Sequence, residues 1–432
     1  MARLLGPLST LRWRTRAKLW FAALLAGLMV VAFAELADMA LALFGRLTTG
    51  RPWMPFVLAP TIGMLTVWLT RRLCPGAAGS GIPQVIAATW LAAKGKPVNT
   101  LLSLRIAFGK IILGALALVG GFSAGREGPS VQVAASVMHS IHNIFPSSRA
   151  LRAQDLILAG GAAGVAAAFN TPLAGIVFAI EELGRRLETR TSGVLVSTII
   201  ISGLVAVALH GNYNYFGQLK VINQDRTIVL PIIVTGLVCG SLGGLFSRLM
   251  LWPQKRVDLK LWRWRAEHPI YFAGACGLLI AIIGLVGGGL SYGSGYMITS
   301  QVVSGELELP WHAPITRFLA TIVSYYSGIP GGIFAPALAV GASLGSNLAQ
   351  LSGIPADTIP IIALCMAGFL AAVTQAPITS AIIVMEMIDG HEMVISLMAV
   401  TLIAKAVSAR LSPELYQQLA LGFRATKDPA GS

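Results

Sequence analysis

The chain has 432 residues, of which 55% are hydrophobic and only 12% are charged, about half the charged share of a typical soluble domain. A soluble protein could not bury this much apolar surface, so the composition excludes a soluble fold and indicates a membrane protein. The formal net charge is +14. Because the basic residues lie in short loops between apolar runs, without interleaved aromatic residues, the charge favours membrane topology over nucleic-acid binding.

The N-terminal region carries a basic cluster directly ahead of the first apolar run: Arg12, Arg14, Arg16 and Lys18. Basic residues of membrane proteins stay on the cytoplasmic side, so the chain is predicted to begin inside the cell. The small residues Ala-Phe-Ala at 32–34 would also fit a signal-peptide cleavage site. The apolar run continues to Phe44, however, which is long enough for a span and favours a retained helix.

Six apolar runs are long enough to cross a bilayer roughly 30 Å thick: 19–44, 53–70, 191–210, 228–251, 270–290 and 393–407. Further basic segments are predicted to be cytoplasmic by the same charge rule: Arg71 with Arg72, 184–190, 252–268 and the tail after Lys405. The nearly neutral segment 211–227, which joins two spans, is then outside. Both termini are predicted to be cytoplasmic.

Three segments rich in Gly and Pro interrupt the apolar sequence: 79–83 (GSGIP), 125–129 (GREGP) and 328–336 (GIPGGIFAP). Taking an anion into hydrocarbon costs on the order of tens of kcal/mol unless its hydration is replaced. Helix N-termini can replace it, because each offers about half a positive charge and several unpaired N–H groups. The segments therefore predict broken helices around an anion site. The alternative is ordinary turns at the membrane surface.

Three segments of the first half recur in the same order in the second: 78–81 over 292–295, 125–129 over 332–336, and 169–182 over 374–387. Their offsets of 214, 207 and 205 residues are nearly constant, which indicates a duplicated half. Because 191–210 is predicted to run outward and 228–251 inward, the halves start on opposite faces. The predicted fold class is an all-α polytopic membrane protein of two inverted-topology repeats, with broken helices meeting at a midplane anion site.

The pattern divides the chain into five regions. They are a basic cytoplasmic N-terminus (1–18), a first membrane repeat (19–215), an extracellular linker (216–227), a second membrane repeat (228–405), and a C-terminal helix with its tail (406–432). The four cysteines and six histidines show no metal or disulfide spacing, so buried thiols and no cofactor are predicted. Glycine pairs such as Gly160 with Gly164 fit close helix contact, either within a subunit or between subunits.

The motifs GSGIP, GREGP and GGIFAP, together with FNTPLAGIVFAIEE at 169–182, resemble the CLC family of chloride channels and chloride/proton antiporters. The resemblance covers roughly residues 20–420. It implies an inverted-repeat fold and a homodimer with one pathway per subunit, carrying chloride and protons. The chain ends soon after Tyr416, so the short bacterial type without CBS domains is expected, in the inner membrane of a bacterium.

The resemblance also implies which residues hold the anion. Ser80 of GSGIP corresponds to the hydroxyl donor to a central chloride, and Ile333 and Phe334 of GGIFAP correspond to donors of backbone amides. Serine at this position favours chloride over nitrate, whereas Gln84 departs from the glutamate that many relatives carry there. Tyr416, in LSPELYQQL, resembles the family's tyrosine that closes the inner side. Its alternative is an interfacial anchor.

Glu127 of GREGP is predicted to lie at a helix N-terminus that would otherwise attract an anion. A carboxylate is itself stabilised at such a place, so it can compete with the ion as a tethered anion. Protonation would release it. The resemblance assigns Glu127 this gating role, the alternative being a plain helix cap. The adjacent Arg126 is expected to brace the loop or pair locally.

Glu181 and Glu182 end an apolar segment just before Arg185 and Arg186. They are expected near the cytoplasmic face, and one interpretation is that they pair with these arginines. In antiporter members of the family the second glutamate receives the proton on the inner side, and here that residue is Glu182. Channel members commonly lack a titratable residue there. Glu182 therefore favours coupled exchange over passive conduction.

Three other functions compete with chloride/proton exchange. Residues 341–345 (GASLG) match the G-x-S-x-G pattern of hydrolases, with Ser343 as nucleophile. Ser343 aligns with Ser136 of the first repeat, however, so a packing role explains both and no enzyme is predicted. A transporter of another substrate, such as a cation, would need intramembrane carboxylates around the ion. A chloride channel gated by protonation of Glu127 is the closest alternative.

Overall fold

The computed structural model describes residues 13–144, 152–184, 189–211, 215–217, 228–256, 258–352 and 360–425. These residues form nineteen α-helices and no β-strand, which confirms the predicted all-α class. Several predicted features lie outside this part of the chain: Arg12, most of the linker 216–227, Arg185 with Arg186, and the tail after Ala425.

The first half contains eight helices: α1 (Trp13–Thr48), α2 (Met54–Leu73), α3 (Ile82–Ala93), α4 (Leu104–Val119), α5 (Glu127–Ile144), α6 (Ala153–Phe169), α7 (Pro172–Phe178) and α8 (Thr189–His210). A π-helical turn, Ala179–Gly184, continues α7. The second half contains ten helices: α9 (Val229–Met250), α10 (Trp252–Lys255), α11 (Lys260–Glu267), α12 (Pro269–Val286), α13 (Tyr296–Val303), α14 (Ala313–Ser327), α15 (Phe334–Ser352), α16 (Ile361–Thr374), α17 (Pro377–Met387) and α18 (Val394–Leu411). The helix α19 (Leu415–Ala425) follows them.

Within the part of the chain that the structure describes, six helices are long and apolar enough to cross a membrane: α1, α2, α8, α9, α12 and α18. They coincide with the six predicted runs, so the chain is a multi-pass membrane protein. The shorter helix α16 is buried along its whole length, and α6 is buried from Asp155 onward. A helix that is apolar on every side is surrounded by protein. In each half two of the spans pack against this buried helix: α1 and α8 on α6, and α9 and α18 on α16.

The two halves repeat the same packing. In the first half α1 lies against α6 and α8, and in the second α9 lies against α16 and α18. Likewise α5 packs on α6 as α15 packs on α16. The eight helices α1 to α8 of the first half have equivalents in the same order in the second half. These equivalents are α9 and then α12 to α18. The short helices α10 and α11 are inserted in the predicted cytoplasmic loop 252–268.

The repeats meet across a local two-fold relation at the centre of the molecule. Gly125 and Gly332, which the sequence alignment of the halves equates, donate to each other's carbonyls at 2.8 and 2.7 Å. When equivalent residues pair reciprocally in this way, a two-fold axis passes between them. An inverted repeat has such an axis, lying in the membrane plane. The predicted inverted architecture is confirmed.

Two carboxylates exchange helix caps between the halves. Glu181 accepts hydrogen bonds from the backbone N–H groups of Ile378 (3.3 Å) and Thr379 (2.7 Å) at the start of α17. Its repeat partner Glu386 accepts from the N–H groups of Leu173 (3.2 Å) and Ala174 (2.8 Å) at the start of α7. An anion at a helix N-terminus satisfies unpaired donors and the helix dipole. Glu181 therefore caps a helix of the other repeat. The sequence had suggested a different role for it, which was pairing with the nearby arginines.

The glycine pairs belong to packing within the subunit. A Cβ on Gly160 or Gly164 would lie 2.8 Å from the carbonyl oxygen of Ala134 or 2.7 Å from that of Ser130, both in α5. In the second half, a Cβ on Gly240 would lie 2.7 Å from Val407 of α18. Only glycine lets these helices approach so closely. The structure thus decides between the two interpretations that the sequence left open.

Candidate anion and proton site

The loop that starts α3 is held by backbone bonds to the second half. Gly79 and Gly81 adopt φ angles of +73° and +107°, a region in which glycine avoids a Cβ clash. The N–H of Gly79 donates to the carbonyl of Ile329 (3.0 Å), and the carbonyl of Gly79 accepts from the N–H of Gly331 (3.1 Å). The start of α3 is thereby fixed beside the loop that leads into α15.

Two fully buried cations brace the loops at equivalent places in the repeats. The Nζ of Lys110 donates to the carbonyls of Ala77 (2.8 Å) and Gly79 (2.6 Å). Arg317, which follows Lys110 by 207 residues, donates to the carbonyls of four loop residues: Leu290, Ser291, Tyr292 and Gly293. Because both cations bond backbone oxygens of the loops, they leave the space beside Ser80 to hydroxyls and backbone amides.

Ser80 and Tyr416 place two buried hydroxyls beside the starts of broken helices. Their side chains are 3% and 0% exposed and lie close to each other, and neither hydroxyl makes a hydrogen bond of standard geometry to a described residue. A Cβ on Gly128, in the first turn of α5, would lie 2.7 Å from Oγ of Ser80. The ring of Tyr416 stacks on Phe334, the first residue of α15, with 5.9 Å between centroids and 8° between planes. The structure therefore brings all the predicted anion-binding residues together.

Backbone amides contribute to the same place. The N–H groups of the first turn of a helix have no partner within that helix, and Phe334 and Ile333 stand at the start of α15. Both side chains are 3% exposed, so water does not reach this helix end freely. A buried group of hydroxyls and helix-start amides offers donors without a fixed full charge, which suits an anion that must also leave.

Glu127 is the first residue of α5 and is 1% exposed. Its Oε1 accepts a hydrogen bond of 2.8 Å from the hydroxyl of Tyr215, and its Oε2 has no hydrogen-bond partner in the described part of the chain. A Cβ on Gly125 would meet Oε2 at 2.3 Å and the side chain of Ala335 at 3.1 Å. The carboxylate thus lies between the starts of α5 and α15, where an anion would be attracted.

Arg126, which directly precedes Glu127 in the chain, braces the first helix. Its guanidinium donates to the carbonyl of Ala34 at 2.7 Å and pairs with the carboxylate of Asp38 at 2.7 Å. Both partners belong to α1. This contact agrees with the local pairing that the sequence analysis expected for Arg126.

Glu182 is 3% exposed and lies in the π-helical turn that continues α7. Its backbone carbonyl accepts a hydrogen bond of 3.1 Å from Nε2 of Gln417. Gln417 follows Tyr416 in α19, and α19 packs against α3. The second glutamate of the pair is therefore buried beside the helix that carries Tyr416.

Two cavities approach the centre from repeat-equivalent segments. One of about 320 Å³ is lined by residues that include Gly79, Ser80, Gln84, Tyr325, Leu419 and Phe423. It also borders Gln254 of the predicted cytoplasmic loop. The other, of about 450 Å³, is lined by residues that include Phe44, Tyr292, Ser294, Gly295, Tyr296 and Ile298. Since 292–295 is the repeat partner of 78–81, an inverted fold places these cavities on opposite sides of the centre.

The residues that suggested a hydrolase or a metal site make ordinary packing and hydrogen-bond contacts. Ser343 lies inside α15, where its hydroxyl donates to the carbonyl of Ala339 at 2.7 Å, so it does not occupy the strand-to-helix turn of a hydrolase nucleophile. The Nε2 of His139 lies 3.3 Å from Oδ1 of Asn99. All four cysteines are free and buried, as predicted. Within the described residues no group of His, Cys, Asp and Glu could hold a metal ion.

Three site residues escaped the sequence analysis: Lys110, Arg317 and Tyr215. An ionisable residue inside an apolar helix is a signal in itself, and it could have found Lys110 and Arg317. Tyr215 carries no such signal. It lies in an irregular segment between two spans, where neither periodicity nor a motif marks one tyrosine above its neighbours.

The fold and the site together define a polytopic membrane protein in which two inverted repeats enclose a buried candidate anion site. The family model for the voltage gated chloride channel matches residues 62–409. The chain therefore belongs to this family, the CLC family, which confirms the resemblance found in the motifs.

Named relatives and solved structures agree with this assignment. The H(+)/Cl(-) exchange transporter ClcA of Citrobacter koseri is 29% identical over 379 residues, covering 83% of this chain and 76% of the relative. ClcA of Salmonella arizonae gives the same values. A slow cyanobacterial Cl-/H+ antiporter has a TM-score of 0.83 at 24% identity and covers 97% of this chain and 100% of its own. A CLC-type fluoride/proton antiporter has a TM-score of 0.79 at 22% identity, covering 94% and 97%. The two structures show the fold.

Proposed function

We propose that this chain exchanges chloride for protons across the membrane. The observation that carries the proposal is the meeting of two unsatisfied buried hydroxyls, on Ser80 and Tyr416, with the starts of broken helices. Leaving a buried donor unsatisfied costs about 1–3 kcal/mol. An anion that accepts from both hydroxyls removes this cost, and the amides of Ile333 and Phe334 add donors. Relatives with the printed name of H(+)/Cl(-) exchange transporter support chloride as that anion.

In this proposal Glu127 is the gate. Its carboxylate occupies the space between the starts of α5 and α15, so while ionised it competes with chloride for the same helix dipoles. Protonation removes the negative charge and with it most of this attraction. The side chain then leaves and chloride enters, which links the movement of a proton to that of an anion.

Glu182 supplies the inner end of the proton path in this proposal. It is buried beside α19, and a second buried carboxylate that is not itself a chloride donor gives protons a site that the anion does not share. A channel would need no such residue. Glu182 is therefore the feature that favours exchange over passive chloride conduction.

Transport by purified protein in chloride-loaded liposomes tests the proposal. We expect a chloride gradient to drive proton uptake; chloride flux without proton movement would instead identify a channel. Glu127→Ala should abolish proton coupling while chloride still passes, because the tethered anion is lost. Glu182→Gln should stop protons and spare chloride. Proton coupling that persists in Glu127→Ala would contradict the gate.

The same proposal places the protein as a homodimer in the inner membrane of a bacterium, with both termini in the cytoplasm. The charge pattern supports this orientation, since the basic loop 252–268 and the residues after Lys405 then face the cytoplasm. Each subunit contains a complete set of the candidate site residues, so each would carry its own pathway.

A further inference from the structure

The segment between the two repeats carries a tyrosine that reaches the gate. Tyr215 is 2% exposed, although it directly precedes the predicted extracellular linker. Its hydroxyl donates the 2.8 Å hydrogen bond to Oε1 of Glu127. Among the described residues no other side chain makes a hydrogen bond to this carboxylate. A residue outside both sets of repeat motifs thus contacts the group on which gating depends.

Contacts with both repeats hold Tyr215 in place. Its ring centroid lies 5.5 Å from that of Phe169 in the first repeat and 4.8 Å from that of Tyr296 in the second. The neighbouring Phe216 packs against it at 4.9 Å, and the backbone N–H of Phe216 donates to the carbonyl of Met387 at 3.1 Å. Aromatic packing and a backbone bond therefore fix where the hydroxyl can point.

The other charged and titratable groups near Glu127 come from several elements. Arg126 precedes it but is paired with Asp38 of α1 at 2.7 Å. Tyr416 of α19 stacks on Phe334 and carries one of the two proposed anion-binding hydroxyls. Tyr296 of α13 packs on Tyr215. Tyr215 is the one of these groups that donates a hydrogen bond to the carboxylate.

We infer that Tyr215 is a positioning residue that holds ionised Glu127 in its closed place and so limits the rate of transport. This inference rests on the proposed gating role of Glu127. A hydrogen bond to an ionised carboxylate is stronger than one to a neutral carboxyl group. The tyrosine therefore favours the closed, ionised state, and a higher proton concentration is needed to open the gate.

Tyr215→Phe removes the hydroxyl and keeps the ring in its packing. Without the donor the ionised carboxylate is less favoured, so Glu127 becomes protonated and released at a higher pH. We expect faster exchange in liposomes at neutral pH and a midpoint of the rate's pH dependence that is higher by about one unit. The chloride-to-proton ratio should not change. Tyr271→Phe, which removes a hydroxyl from an exposed ring of α12, should keep the wild-type rate and midpoint.

A second background separates positioning from a structural role. In Glu127→Gln the charged acceptor is absent, so adding Tyr215→Phe should leave chloride flux unchanged; a further change would show that the tyrosine acts through the fold. A wild-type rate and midpoint for Tyr215→Phe, with Glu127→Ala uncoupled, overturns the inference and leaves the gate standing. Coupling that survives Glu127→Ala overturns both.

Discussion

The hydroxyl of Ser80 differs from that of Ser343, although both serines are buried inside the same membrane protein. Ser343 donates to the carbonyl of Ala339, one turn back in its helix, and is satisfied without a ligand. Ser80 has no such partner among the described residues, because its loop precedes α3 and offers no carbonyl one turn back. The break in the helix thus leaves the hydroxyl available to the proposed anion.

Ser80→Ala should weaken chloride binding by about 1 kcal/mol, or roughly five-fold in Kd, because one neutral hydrogen bond to the ion is lost. Isothermal titration of the purified protein with chloride measures this change. Ser343→Ala is the matched control, since it removes a buried serine hydroxyl that bonds its own helix. Equal chloride affinity in the two variants would show that Ser80 does not contact the ion.

Residues that belong to motifs could be predicted, and residues that act from outside them could not. Ser80, Glu127, Ile333 and Phe334 lie in glycine-rich segments whose spacing marks them, and the structure brings them together. The role inferred for Tyr215 depends on the chain folding back over the start of α5. That contact depends on tertiary packing, which leaves no local pattern.

At the scale of helices, the short segments α7 and α17 depend on each other. Glu386, near the end of α17, caps the N-terminus of α7. Glu181, in the turn that continues α7, caps the N-terminus of α17. The first turn of a helix leaves four N–H groups unpaired, and no water is available to them inside the bilayer. The reciprocal caps therefore let both helices begin at membrane depth.

Glu181→Gln and Glu386→Gln should each destabilise the protein by about 1 kcal/mol, because a neutral amide interacts less well with a helix N-terminus. Thermal unfolding in detergent measures the change, and the two losses should be similar, as the caps are equivalent. Glu306→Gln, which alters an exposed glutamate, serves as the control. An unchanged melting temperature in both cap variants would exclude the capping role.

The long helices were predictable because twenty apolar residues leave an unambiguous pattern. All six predicted spans are confirmed. Short helices such as α3 and α13 were visible only as interrupted apolar sequence, because a segment of 8 to 12 residues is too short for a span. Their starts could be inferred from glycine and proline, but their packing could not.

For the molecule as a whole, the inverted repeat explains why the site lies at the centre. Equivalent broken helices enter from opposite faces, so their starts meet where Gly125 pairs with Gly332. The duplication was visible in the sequence from three segments that recur in order at nearly constant offsets. The reciprocal bonds between the halves were not, because an alignment of the repeats says which residues are equivalent and not which of them touch.

The outer surface around α7 and α17 indicates how a second subunit would bind. The eleven residues of α17 extend about 16 Å, so its ends cannot both reach the surfaces of a hydrocarbon core of about 30 Å. Apolar side chains at the starts of these helices are exposed, Leu173 at 53% and Ile378 at 43%. The capping carboxylates of Glu181 and Glu386 are only partly buried beside them. Lipid against a carboxylate is unfavourable by about 3 kcal/mol, so protein is the better neighbour for this face.

We therefore expect the proposed homodimer to use this face. Ile378→Cys should be cross-linked into a dimer by a short bismaleimide, because two copies related by a two-fold axis bring the face against itself. The four native cysteines are buried and should react slowly. Leu279→Cys on α12 serves as the control for random collision, because the wild-type Leu279 side chain is 48% exposed. Gel analysis of the cross-linked protein in membranes measures both, and equal yields from the two positions would contradict a dimer through α7 and α17.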